Sequence, residues 1–466
     1  MSTASQIGNS IVSQASALSL TGEPIDLEAL RMKQIRRAIL ALLGLLVFFV
    51  AARLWCLEGL LFPVRVTGAS MGTTLSGEHY RVKCDDCQVE FRCDARNVPM
   101  SHEVVCPHCG YRHNQLQPSD YQPGDQVLID RWVYLLGRPR RGELVAFPDP
   151  NENSQRVVKR IVGMPGEQIA IRRGDVYVDG KPWRKSLAEM RAAAILVHDD
   201  HFPVTKTRDA PGHWQPAAGE KSHWVEREHA FIHSGKVPPL GKNSDWLSFH
   251  NWRMGYTPET RTTYSTVLDN DSYNQNLDRT SLNAVPDLLL TCRASIAKYA
   301  CLVFAAVDGN DRFEVHMCHD IQKLKLFQNG QEIDVKLLPH RDYEEPIDIE
   351  FALCDQQVLF GMDGREVLRQ PYERKESGTF QAEPQLEIGG AGARIRISKL
   401  KVYRDLYYLE PGNTGASWHA ERPIPANHYF ALGDNPPASS DSREWVQAEV
   451  PLGKIQGRVM KPFWIR

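Results

Sequence analysis

Apolar and polar positions fall into distinct textures along the chain. Residues 38–52 are apolar without a single charge, and Arg31, Lys33, Arg36 and Arg37 stand just before them. A helix with hydrocarbon on every side suits a lipid bilayer better than a protein surface. The run is shorter than the ~20 residues a span needs, but Arg53 can snorkel to the interface and Leu54 to Leu57 extend the segment. A transmembrane helix is therefore predicted over 38–58. The basic residues before it predict a cytoplasmic tail over 1–37 and an extracytoplasmic remainder. A cleaved signal peptide ending near Val50-Ala51-Ala52, or a buried helix, are the competing readings, though the polar leader is long for a signal peptide.

Beyond the helix the pattern is of short strands. Residues 126–130, 143–147, 157–162 and 176–178 are apolar or alternating and are separated by Pro-Gly and Asp-Gly turns. Similar texture returns at 427–432 and 454–465. This predicts one β domain made of residues 59–83, 118–181 and 421–466, with a large excursion over 182–420. Within the excursion, residues 183–265 are rich in Trp, His and charge. Residues 285–409 instead alternate strongly, as in Pro346-Ile-Asp-Ile-Glu-Phe-Ala-Leu353, which predicts a second all-β, jelly-roll-like unit. The predicted fold class is mainly β.

Charge and cysteine content narrow the picture. The 55 basic and 57 acidic side chains leave a net charge of -2, so no field draws phosphate backbones and nucleic acid is excluded as a partner. Of the ten cysteines, Cys84, Cys87, Cys93, Cys106 and Cys109 fall within 26 residues. Cys84-Asp-Asp-Cys87 and Cys106-Pro-His-Cys109, 18 residues apart, form two knuckles able to close one tetrahedral zinc site, a ribbon-like insertion over 84–117. Four thiolates leave no open coordination position, so such a zinc would be structural. A pair of disulfides is the alternative, favoured by an extracytoplasmic position. Cys93, His102 and His108 are read as bystanders. Asp85, Asp86, Glu90, Asp94 and Glu103 deny the ribbon a basic face.

Candidate chemistry lies in several separated boxes. Val66-Thr-Gly-Ala-Ser-Met-Gly-Thr-Thr-Leu75 puts a serine about a dozen residues past the membrane exit. It also satisfies G-x-S-x-G, but the helix that must follow a nucleophile elbow is missing. Gly124-Asp-Gln-Val-Leu-Ile-Asp-Arg131, Arg141-Gly-Glu-Leu-Val-Ala-Phe147, Lys159-Arg-Ile-Val-Gly-Met-Pro-Gly-Glu167 and Gly433-Asp-Asn-Pro-Pro-Ala-Ser-Ser-Asp-Ser-Arg443 follow. Together and in this order they resemble the signal peptidase I family over roughly a quarter of the chain.

The resemblance implies a membrane-bound serine endopeptidase that removes signal peptides from exported precursor proteins and needs no cofactor for catalysis. Ser70 would attack, Lys159 would act as general base, and Ser439 would orient the lysine amine. Asp441 and Arg443 would form a supporting ion pair, with Arg160 and Asp434 also supporting. Val64, Val66, Met71, Leu75 and Val158 would meet the substrate, accepting small side chains before the cut. Two positions depart from the family: Gly68 stands where some relatives carry a hydroxyl that completes the oxyanion hole, leaving the backbone N–H of Ser70 to act with water or Thr67, and Thr73 replaces a frequent proline. Two rivals remain. One is an inactive, membrane-tethered binding protein using the ribbon and β insertion. The other is a Ser/Lys autoprotease, disfavoured by the absence of a DNA-binding helical unit.

Overall fold

The computed structural model describes residues 27–53, 59–152, 155–204, 212–217, 222–235, 244–253, 263–277, 282–374, 384–409 and 417–461. Most of the expected tail, the Leu54 to Leu57 extension of the span and the end of the last expected strand lie outside these residues. Two units are distinguished, residues 1–62 and 63–466. In the first, the helix Leu27–Arg53 contains a stretch, Arg31–Arg53, long and apolar enough to cross a membrane. Its 23 residues rise about 34 Å at ~1.5 Å each, enough for the ~30 Å hydrocarbon layer. The helix starts well before the apolar run because Leu27 to Gln34 are mostly strong helix formers.

The second unit is built from β-sheets. One seven-stranded sheet runs in the order Leu61–Arg65, Gln126–Asp130, Gly457–Met460, Leu144–Pro148, Arg156–Gly163, His428–Leu432, Glu449–Pro451. Strands far apart in sequence therefore share one sheet. Val145, Phe147, Ile161, Tyr429 and Ala431 fill one face, while Val162, Ile169, Phe430 and Leu432 belong to a second cluster. Each fully buried aliphatic or aromatic side chain of this kind contributes roughly 1.5–3 kcal/mol.

A four-stranded sheet adjoins it in the order Lys181–Pro182, Asp175–Val178, Ile169–Arg172, Trp418–His419. Asp179 and Gly180, at φ 50° and 79°, make the two-residue turn between its first two strands, the conformation that Asp-Gly accepts most readily. The chain leaves for the excursion along one edge of this sheet and returns along the other. At ~4.8 Å per strand the two edges are about 14 Å apart.

The excursion folds as a sandwich of two antiparallel sheets around a core that includes Phe304, Phe351, Phe360, Ile349, Ile388 and Val402. It takes strands from the Trp- and His-rich stretch as well: Ile195–Asp199, Trp224–Arg227 and Ala230–His233 extend one sheet, Trp214–Pro216 and Asp245–Phe249 the other. These segments are short and interleave polar residues, so alternation was too brief to read. Cys301 and Cys318, directly opposed on neighbouring strands, form a disulfide that sequence spacing did not suggest.

Buried ion pairs hold the sandwich to the four-stranded sheet. Lys185 lies 2.6 Å from Asp355 and 2.8 Å from Asp405, and these carboxylates outweigh burial to raise its pKa well above the ordinary value. Arg374 reaches Asp308 at 2.7 Å, Asp287 at 3.4 Å and Asp175 at 3.5 Å. Removing one partner of such a set strands a buried charge, which favours one docking geometry over others.

Candidate active site

Adjacent residues on a strand point to opposite faces, and the Arg156–Gly163 strand uses this to aim two cations in different directions. Lys159 lies opposite Val145 and is 2% exposed, on the face with Val157 and Ile161. Arg160 lies opposite Leu144 and Leu432. Both find their partners in one segment, residues 433–443. Lys159 Nζ donates to Ser439 Oγ at 2.8 Å, and Arg160 holds Asp434 through two hydrogen bonds of 2.8 and 2.5 Å.

Ser439 in turn donates to Asp441 Oδ2 at 2.8 Å. Asp441 is fully buried and receives two bonds of 2.7 Å from Arg443, with a third, 3.0 Å, from the backbone of Gly433. Burial alone would raise its pKa, but Arg443 outweighs this and holds the carboxyl below its usual range. For Lys159 burial dominates: it lowers the ammonium to about 8, against the opposing pull of Asp441. The lysine bonds to Ser439 and Ser439 to Asp441, a relay that directs the amine.

The Ser70 loop is fitted against the same segment. Asn435 N–H donates to Ser70 C=O at 3.0 Å, and Asn435 Nδ2 to Ala69 C=O at 2.9 Å. A Cβ on Gly433 would stand 2.1 Å from Ser439 Oγ and 2.5 Å from Ser70 O, so only glycine lets these two serines approach. From the other side, Val66 N–H donates to Asp125 C=O, and a Cβ at Gly124 would strike Val66 O at 1.7 Å. The Gly124-Asp-Gln box thus braces the strand that leads to Ser70. Among the described residues the hydroxyl of Ser70 makes no hydrogen bond to Lys159. Open space lies over Gly68.

The expected substrate-contacting residues do not form one uniform wall. Val64, Val66 and Val158 are half-buried, whereas Met71 and Leu75 are each 1% exposed. Met71 Sδ accepts the Asp434 N–H at 3.5 Å, which ties it into the floor of the site. Leu75 lines a cavity of about 380 Å³ with Thr73, Thr74, Leu144 and Arg160, on the face of the strand opposite Lys159. Two contributors were not assigned from sequence: Asn435, which lies inside a recognised box, and Asn274 of the excursion, whose amide meets that of Asn435. No sequence signal marks Asn274.

The four ribbon cysteines are buried and unbonded, with Cys84 Sγ 3.5 Å from Cys109 Sγ and Cys87 Sγ 3.7 Å from Cys106 Sγ. A disulfide needs about 2.05 Å, whereas sulfurs ~2.3 Å from a tetrahedral zinc lie about 3.8 Å apart. The residues fit the metal. The knuckles also match each other, because Gln88 and Gly110, each just after the second cysteine, adopt φ 67° and 74°. The Asp86 N–H donates to Cys84 Sγ at 3.4 Å, as thiolate ligands require. The neighbouring Cys106 and Cys109 sulfurs push the Cys84 thiol below its ordinary range. Cys93 stands apart from the four.

Comparison with known proteins adds a lineage to this geometry. "Probable signal peptidase I-2" of Synechocystis sp. is 35% identical over 139 residues, 27% of this chain and 61% of that protein. The chain thus spans less than two thirds of that relative. "Signal peptidase I" of Bacillus caldolyticus is 26% identical over 141 residues, 28% of this chain and 71% of that protein. Among solved structures, a carbohydrate binding module from Bacillus subtilis aligns with 41% of this chain and 94% of its own at 9% identity and a TM-score of 0.26, too slight a likeness to carry an argument. The pattern of the family described as signal peptidase, peptidase S26 matches residues 112–244 and 362–464, about half the chain, beginning after the Ser70 box and including Lys159, Ser439, Asp441 and Arg443. The chain belongs to that signal peptidase family.

Proposed function

We propose that this chain is a signal peptidase I, a membrane-bound serine endopeptidase that removes signal peptides from exported precursor proteins, with Ser70 as nucleophile and Lys159 as general base. The observation that carries this reading is the buried Lys159 amine, bonded to Ser439 beside the loop that bears Ser70. An ordinary lysine, at pKa ~10.4, is neutral about once in 2,500 at pH 7, while one at about 8 is neutral roughly once in ten. Burial therefore increases the supply of free base by about 250-fold.

In this mechanism neutral Lys159 gives one N–H to Ser439, which turns its lone pair toward Ser70. It takes the Ser70 proton as Oγ attacks the scissile carbonyl. The Ser70 N–H, with water or Thr67, meets the oxyanion. Lys159 then protonates the leaving amine, and a water activated the same way releases the acyl enzyme. Asp441, Arg443, Asp434 and Arg160 hold the relay in place, and Val64, Val66, Met71, Leu75 and Val158 serve the substrate side chains. The four-cysteine ribbon holds one structural zinc, and catalysis needs no cofactor.

The catalytic unit lies on the outer side of the cytoplasmic membrane, with the N-terminus inside. The basic residues before the helix support that orientation, as does the Cys301–Cys318 disulfide, which persists in an oxidising compartment. Cleavage of an Ala-x-Ala precursor peptide by the full chain in detergent tests the reading. Ser70→Ala and Lys159→Ala should each abolish turnover, and the double variant should be little worse than either. Near-normal cleavage by either single variant overturns the dyad.

A further inference from the structure

At one end of the sandwich, three metal-ligating side chains converge from both sheets. His233 ends the Ala230–His233 strand, His223 precedes the Trp224–Arg227 strand that pairs with it, and Asp245 begins the Asp245–Phe249 strand of the opposite sheet. His223 Nδ1 lies 3.5 Å and His233 Nε2 3.7 Å from the same oxygen, Asp245 Oδ2, and all three donor atoms lie within 4.8 Å of one another.

The surroundings suit a ligand better than a packing residue. His233 is 0% exposed and neither ring nitrogen reaches good hydrogen-bond geometry, its polar neighbours being Asp245 Oδ2 at 3.7 Å and the Ala393 backbone. A fully buried imidazole in that state gives up its hydration with little in return. Two glycines make room for its ring: a Cβ at Gly235 would stand 2.9 Å from it and one at Gly390 2.8 Å. Asp245 is held in orientation by Ser222 Oγ at 2.9 Å and by the His223 N–H. His223 is 47% exposed, so water can reach the remaining side.

We propose that His223, His233 and Asp245 bind a divalent transition-metal ion of the zinc class, a site separate from the cysteine ribbon that pins the two sheets of the sandwich together. Two imidazoles and a carboxylate are the donor set such ions accept. With bonds of ~2.0–2.2 Å, neighbouring ligands of a tetrahedral ion lie about 3.3–3.5 Å apart, so the observed 3.5 and 3.7 Å need only slight closure. The fourth position faces solvent and takes water.

Cobalt(II) titration of the full chain in detergent, stripped of metal under reducing conditions, tests this. Cobalt on the cysteines gives a thiolate-to-metal charge-transfer band, whereas cobalt on His223, His233 and Asp245 gives visible d–d absorption without one. The wild type should bind one more ion than His223→Ala, and the charge-transfer band should be the same in both. Because His223 is exposed, its loss leaves the core intact. Asp245→Asn, whose amide oxygen still accepts the His223 N–H while its NH2 donates to Ser222 Oγ, should lose the same ion. Equal stoichiometry in wild type and both variants overturns the proposal.

Discussion

Asn274 and Asn435 exchange their side-chain amides: Asn274 Nδ2 donates to Asn435 Oδ1 at 2.6 Å, and Asn435 Nδ2 returns a bond to Asn274 Oδ1 at 2.8 Å. Asn435 also holds the Ala69 and Ser70 carbonyls, so a residue of the excursion positions the loop that carries Ser70, the proposed nucleophile. The neighbouring Tyr273 ring closes over Gly72, where a Cβ would stand 2.9 Å from it.

Asn274→Ala should therefore slow cleavage without much effect on substrate affinity. Two hydrogen bonds at about 1 kcal/mol each correspond to a kcat loss of roughly 10- to 30-fold. Steady-state cleavage of a precursor peptide measures both parameters, and an unchanged kcat would show that Asn435 holds the loop alone.

Replacing residues 186–418 by a short Gly/Ser linker extends the same argument. The ends of the excursion lie in one four-stranded sheet, so the remaining β domain should still fold, and circular dichroism with a cooperative urea transition checks this. Its cleavage should be slowed at least as much as in Asn274→Ala. Complete loss of folding would mean that the excursion is part of the catalytic core.

Proton linkage sets the pH behaviour. Cleavage should rise through an apparent pKa of about 8, and a rate still climbing steeply at pH 10 would contradict a depressed Lys159. Asp441 raises the lysine pKa, so Asp441→Asn should move the rise to lower pH even as it weakens folding. A lysine held near 8 in the folded chain binds fewer protons than the unfolded one between pH 8 and 10.5. Its burial therefore costs about 3 kcal/mol below pH 8, and that cost fades as pH rises through 10.5. Lys159→Met should be inactive yet more resistant to urea at pH 7, with the advantage gone by pH 10.5.

Protein purified without chelator should carry zinc on the four cysteines. Cys84→Ser should lose that ion and lower thermal stability, as would prolonged chelation. A wild-type chain whose four thiols remain free and metal-free, with unchanged stability, would refute the structural zinc.

What the sequence by itself determined were features carried by local pattern. The apolar run before Arg53 has the hydropathy and flanking charge of a membrane span, the paired Cys-x2-Cys spacings bring four sulfurs within reach of one ion, and alternation reads directly as strands in residues 346–353. The Ser70, Lys159 and Gly433 to Arg443 boxes are visible as short contiguous stretches, whereas the roles their residues would take come from the resemblance to the signal peptidase I family. Tertiary structure alone decided the rest. Strand order sets Arg156–Gly163 beside His428–Leu432, and only there does Lys159 meet Ser439, 280 residues away in sequence. The Trp- and His-rich strands became visible only as edges of the sandwich, because a strand of three or four residues is stabilised by its neighbours and not by its own alternation. The Asn274 bridge and the meeting of His223, His233 and Asp245 likewise depend on how two sheets pack, and packing is a long-range property that no local spacing records.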